Sequence, residues 1–118
     1  MRHTATMTGP LQINDLHGSE RSRRFEGRDH GSTVSSFISR HAPGEGPDLH
    51  VHPYEETFIM LEGVCTFTVD GNQIEATAGE IMVVPPNTPH GFRNTGDKRI
   101  LQVSIHPSDH VIQEFLEE

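Results

Sequence analysis

Tryptophan is absent from this 118-residue chain, and tyrosine, lysine and cysteine each occur once. With only 32% apolar residues, the chain could build only a thin core for a helical bundle. The same content serves a small β domain, in which each strand buries one face. The single cysteine, Cys65, has no partner for an internal disulfide. It sits in the apolar stretch Val64–Val69 and reads as a buried, inert thiol. The single lysine, Lys98, falls in a turn, which argues against Schiff-base chemistry. No run approaches the ~18 apolar residues of a membrane span. Basic residues are scarce, 9 against 17 acidic, for a formal charge of −8. Such a surface repels phosphate backbones, so no nucleic-acid partner and no membrane partner are expected. The opening Met1–Met7 lacks the apolar core of a signal peptide, and a cytoplasmic location is expected. The length suits one domain and excludes a multidomain enzyme.

Two residue types are abundant for turns, with 11 Gly and 8 Pro, and one for chemistry, with 9 His. The glycines and prolines punctuate short segments. Residues 1–20 are mixed and polar and read as an arm, partly mobile. Residues 21–118 read as one domain, opening on the arginine cluster Arg21, Arg23, Arg24 and Arg28, a solvated strand face or loop. Strands are predicted over Gly31–Arg40, Leu49–His52, Glu56–Leu61, Val64–Val69, Gln73–Ala76, Ile81–Val84, His90–Asn94 and Arg99–His106. Asp70-Gly71 between two alternating runs signals a hairpin. Val111, Ile112, Phe115 and Leu116 recur at helical spacing after Pro107-Ser108-Asp109, which predicts a short C-terminal helix. Eight or nine strands at about ten-residue spacing imply an antiparallel sandwich or barrel.

Excess histidine points to metal. On a strand, His50 and His52 face one side. If the chain turns at Pro53-Tyr54, Glu56 opens the next strand and can face the same point. His90 also starts a strand, after the turn Pro85–Pro89. Three imidazoles and one carboxylate suit Mn, Fe, Co, Ni, Cu or Zn better than Ca or Mg.

The spacing of these residues resembles the cupin superfamily, and within it the small single-domain cupins of the conserved-barrel, cupin-2 type. Gly44, His50-Val51-His52, Glu56 and Gly63 match the first cupin motif at every spacing. Gly79, Pro85, Asn87, His90 and Asn94 match the second, with Asn87 where the family usually has Gly. Asn tolerates left-handed backbone, so that turn should survive. The resemblance implies an antiparallel jelly-roll barrel (a double-stranded β-helix) with a metal in its mouth, and a homodimer. His50, His52, Glu56 and His90 are then the ligands of one divalent transition metal per chain, Fe, Mn, Ni or Zn.

Parity assigns the neighbours. Phe58 and Met60 share the phase of Glu56 and are expected to line the cavity with Phe92 and with Met82 or Val84. A cavity lined by Phe and Met favours a small, partly apolar substrate. Asn94 faces inward and either orients a ligand or satisfies backbone at the strand end. Glu55 and Arg93 face out. His30, His41, His106 and His110 read as surface or strand-end residues. Tyr54, in the loop between ligands, is set aside as a catalytic residue of the kind metal-free sugar epimerases use. Three function classes follow. The favoured one is a metalloenzyme on a small oxygenated molecule, dioxygenase-like in chemistry, with a Zn- or Mn-dependent isomerase or lyase as its variant. A non-catalytic ligand-binding cupin and a metal-buffering protein are the others.

Overall fold

The computed structural model describes residues 9–116. Alternating apolar residues and frequent turns give eleven strands among them: β1 (His17–Gly18), β2 (Ser22–Glu26), β3 (Ser35–Ser39), β4 (His50–Val51), β5 (Glu56–Glu62), β6 (Val64–Val69), β7 (Asn72–Thr77), β8 (Ile81–Val84), β9 (His90–Asn94), β10 (Leu101–His106) and β11 (Glu114–Phe115). Two 3-10 turns, Ile13–Asp15 and Gly27–Asp29, complete the list of regular elements. Every strand pairing is antiparallel. One sheet runs β1-β2-β3-β10-β5-β8 and the other β11-β4-β9-β6-β7. This is the antiparallel jelly-roll architecture expected. No helix among the described residues is long and apolar enough to cross a membrane.

The core lies where the two sheets face. Phe58 of β5 meets Phe67 of β6 at a ring separation of 4.8 Å, and Phe67 meets Phe92 of β9 at 5.3 Å. Met60, Cys65, Ala76, Val84 and Ile100 close the cluster. Burying each large side chain here contributes about 1.5–3 kcal/mol. Cys65 is fully buried, and desolvation pushes its thiol up to about 11.

On β5 and β6 buried residues alternate with more exposed ones, and β10 inverts the chemistry of that pattern. On β10, Gln102, Ser104 and His106 are buried, while the apolar Leu101, Val103 and Ile105 are only half-buried. Ser35 and Ser39 of the adjoining β3 are buried too. The middle of the larger sheet therefore turns a polar face inward.

Turn chemistry fixes the registers. Val69 pairs with Asn72, leaving Asp70-Gly71 as a two-residue loop with φ of 50° and 81°. Both residues are left-handed, as the hairpin turn that matches strand twist requires. Asn87 adopts φ 58° and keeps the turn intact without glycine.

The C-terminal helix is not formed. Its backbone groups bond to distant elements instead of to each other. Val111 N–H donates to the Glu26 carboxylate at 2.8 Å, Ile112 N–H to Tyr54 Oη at 3.1 Å, and Leu116 N–H to the Leu49 carbonyl at 3.0 Å. Glu114 and Phe115 pair with Val51 and His50 as β11. The apolar spacing serves an edge strand on the barrel mouth, a tertiary override of local pattern.

At the other end, residues 1–8 of the predicted arm lie outside the described residues. The rest of that arm carries a 3-10 turn and β1. The arginine cluster falls largely on or beside β2. Arg23 Nη1 donates to the Leu16 carbonyl at 3.1 Å, and Arg21 pairs with Glu45 at 3.1 Å.

Candidate metal centre

β4 and β9 place His50 directly opposite His90 in register. His52 follows β4, and Glu56 opens β5. One ligand atom from each of His50, His52, Glu56 and His90 lies within 4.8 Å of the others. All four side chains are buried. The turn that aims His90 is tied to the same group, since Asn87 N–H donates to the His52 carbonyl at 2.8 Å.

The main chain orients each ring. His50 Nδ1–H donates to the Asp48 carbonyl at 2.7 Å, His52 Nδ1–H to that of Ile112 at 2.9 Å, and His90 Nδ1–H to that of Thr88 at 2.8 Å. A carbonyl accepts only, so Nδ1 carries the proton and Nε2 keeps its lone pair. His52 Nε2 and His90 Nε2 then stand 3.0 and 2.9 Å from Glu56 Oε1. Lone pairs from both rings and a carboxylate oxygen meet at one point. A positive charge reconciles them, either an extra proton on each ring or a cation held between. The donor set is that of a divalent transition-metal site, and the residues present fit such an ion.

Electrostatics agree. Burial lowers His50 to about 4, against a hydrogen bond to Asp48 that favours the charged form. His50 is neutral at pH 7 and ready to ligate. Burial opposes ionisation of Glu56, yet the hydrogen bond from His106, with those that His52 and His90 donate when they carry the extra ring proton, overcomes it and holds the carboxyl well below the usual carboxylate range.

His106 was expected at the surface or a strand end, and it does end β10. It is fully buried, and its Nε2–H donates to Glu56 Oε2 at 2.9 Å. Tyr54 Oη–H donates to His106 Nδ1 at 2.6 Å, and Tyr54 Oη accepts from Ile112 N–H. Each donor of this chain, Ile112 N–H, Tyr54 Oη–H and His106 Nε2–H, meets an acceptor. It engages Oε2 and leaves Oε1 facing His52 and His90. Strand parity carried the signal for His106, because it shares the inward phase of Gln102 and Ser104.

A cavity of about 210 Å³ opens beside His50 and Glu56. Phe37, Phe58, Phe92 and Phe115 supply its apolar walls. Met60 belongs to the core cluster and is not among the cavity walls. Val84 is buried and Met82 half-buried against that core, while Ile81 and Val83 face out, which settles the phase of β8. Asn94 is buried, but its amide serves the strand end. Nδ2 donates to the His41 and Lys98 carbonyls at 2.9 and 2.8 Å, and Oδ1 accepts from Gly96 N–H at 2.9 Å. Glu55 and Arg93 are exposed as expected. Of the remaining histidines, His30 stacks on Phe25, His110 pairs with Asp109, and His41 lines the cavity.

Comparison with known proteins places this arrangement. The family described as a cupin domain matches residues 37–106, more than half of the chain. An uncharacterised protein of Methanocaldococcus jannaschii is 38% identical over 72 residues, covering 58% of each chain. The polyketide synthase CurC of Streptomyces cyaneus is 36% identical over 62 residues, 52% of this chain and 40% of that protein. Quercetin 2,3-dioxygenase of Bacillus subtilis is 44% identical over 66 residues, 52% of this chain and 20% of the enzyme. The chain thus spans less than two thirds of the length of these relatives. A structure of Bacillus subtilis oxalate decarboxylase, from work on its Mn(II) centres, superposes with a TM-score of 0.75 at 25% identity, covering 86% of this chain and 29% of that one. The formate complex of the Lactobacillus farciminis enzyme gives 0.77 at 23% identity, covering 90% and 35%, a likeness of fold.

Proposed function

Because the chain belongs to the cupin family, we propose that it is a metal-dependent enzyme acting on a small oxygenated organic molecule, with dioxygenase-like chemistry. The observation that carries this reading is the convergence of three imidazoles and one carboxylate beside a cavity. Nε2 of His50, His52 and His90 and Oε1 of Glu56 would hold one divalent transition metal per chain. When bound, the metal would supply Lewis-acid or redox chemistry to an oxygenated substrate at the positions the protein leaves open. The chain supplies the rest. Backbone carbonyls lock the three rings, His106 fixes the carboxylate, and the phenylalanine walls exclude water and favour a flat molecule. The dioxygenase relative supports oxygen chemistry. The oxalate decarboxylase neighbour with its Mn(II) centres favours a second reading, Lewis-acid isomerase or lyase work with Zn or Mn. The partners proposed are a small-molecule substrate and a second copy of the chain.

The test is elemental analysis of protein purified without tag, chelator or added metal. Near one Fe, Mn or Ni per chain, with oxygen uptake on a panel of diketones and catechols, is expected. Near one Zn and no oxygen uptake would move the reading to Lewis-acid chemistry. No metal, with none taken up on titration, would overturn the enzyme. His52→Ala should lose the metal while the far-ultraviolet circular dichroism of the barrel is retained. Unchanged metal content in that variant would overturn the ligand set.

A further inference from the structure

We propose that Gln102 and Ser104 form a neutral orienting site for a substrate oxygen distant from the metal, and that the substrate's second polar group is an uncharged hydroxyl or carbonyl rather than a carboxylate. The inference rests on the cavity reading above and names the substrate class it would take.

Both residues come from the inverted strand β10 and line the cavity that His50 and Glu56 also line. Gln102 is 1% exposed and Ser104 2%. Neither the amide nitrogen and oxygen of Gln102 nor the hydroxyl of Ser104 has a hydrogen-bond partner. The Cys65 sulfur beside Gln102 is at most a weak acceptor for one amide N–H and leaves the amide oxygen unmet. Buried polar atoms are nearly always paired, because an unpaired one forfeits its hydration without compensation. Three such atoms on one wall of one cavity therefore point to a ligand that completes them. A third group agrees, since Nδ1 of His41, on the same lining, is also buried and unpaired.

The chemistry of the wall sets the class. Its polar members are two amides, hydroxyls, imidazoles and the Glu56 carboxylate, and among the described residues no lysine or arginine lines the cavity. A carboxylate held away from the metal would be desolvated with no cation to meet it, against the charge of Glu56. A hydroxyl or carbonyl would accept from the amide N–H₂ or the serine, and a hydroxyl would also donate to the amide oxygen. The four phenylalanines accept the planar remainder. An oxygenated aromatic or enol with one chelating end and one neutral distal oxygen fits all three features.

The test is calorimetric binding to Zn-loaded protein, with pyrogallol and oxalate as probes, on the wild type, Gln102→Leu and Ser104→Ala. Pyrogallol affinity is expected to fall at least tenfold in one variant or both, and oxalate affinity to change less than twofold. Metal content should be unchanged and the melting temperature unchanged or higher, because an unpaired polar group has been removed. Wild-type pyrogallol affinity in both variants would overturn the proposal. So would oxalate binding that is tighter than pyrogallol and weakened by the same substitutions. If the protein takes up no metal, the enzyme reading falls, and the same pyrogallol series on metal-free protein still decides this one. Should Gln102→Leu fail to fold, Ser104→Ala alone carries the comparison.

Discussion

The two ends of the barrel interior are equally buried and chemically opposite. At one end Phe58, Met60, Cys65 and Phe67 meet with no polar atom of their side chains beyond a thiol. At the other, His50, His52, His90 and His106 crowd around the single carboxylate of Glu56. The apolar end gains stability from every methylene it removes from water. The polar end must recover the desolvation of a carboxylate and four rings through hydrogen bonds, and one arrangement of lone pairs there is satisfied only by added positive charge. The fold is held at one end, and a ligand is awaited at the other.

The contrast can be broken from either side. Phe67→Ala should cost about 3–5 kcal/mol in denaturant unfolding, because it empties the contact between sheets. Metal content per folded chain should be unchanged, and a parallel loss of metal would show that the two ends are coupled. Acid acts on the polar end. His50 titrates near its ordinary value when unfolded and at about 4 when folded. Above pH 6.5 both states hold it neutral and the full stability is present. As pH falls through 6.5 toward 4 the unfolded chain takes up the proton first, and stability is lost. For chelator-treated protein the loss should be roughly 2 kcal/mol between pH 7 and pH 5, with a shallower slope in His50→Gln. Identical slopes would remove His50 as the source.

His106→Ala should weaken metal affinity about 10–100-fold, read by competition with a chromophoric chelator, as expected for a residue that orients a ligand. Tyr54→Phe should have a smaller effect in the same direction. Equal affinity in His106→Ala would show that Glu56 needs no such hold. The smallest change expected is at Asn87. Asn87→Gly keeps the N–H that reaches His52 and should shift stability by less than about 1 kcal/mol with metal content intact. Asn87→Val, forced to φ 58°, should cost about 1–3 kcal/mol.

Much of this is legible in the sequence. The motif spacings placed His50, His52, Glu56 and His90, and period-two alternation placed β5, β6, β8 and β9 within a residue. What escaped did so for physical reasons. Arg23 and Arg24 hid β2, because charged stems on a half-buried strand carry no apolar alternation. His106 was obscured by the inversion of β10, whose apolar residues face outward, so hydrophobicity pointed to the wrong face. The C-terminal segment satisfied helical periodicity, yet its N–H groups are claimed by Glu26, Tyr54 and Leu49, none of which its own sequence announces.

The three carbonyls that fix the imidazoles belong to Asp48, Thr88 and Ile112. A peptide carbonyl is present whatever side chain the codon specifies. Replacement of any of these three residues leaves the oxygen in place so long as the local trace survives. The scaffolding of the rings therefore offers a small target to point mutation. Genetic drift can rewrite the neighbourhood, and with it what the cavity admits, while the orientation of the donors is inherited unchanged.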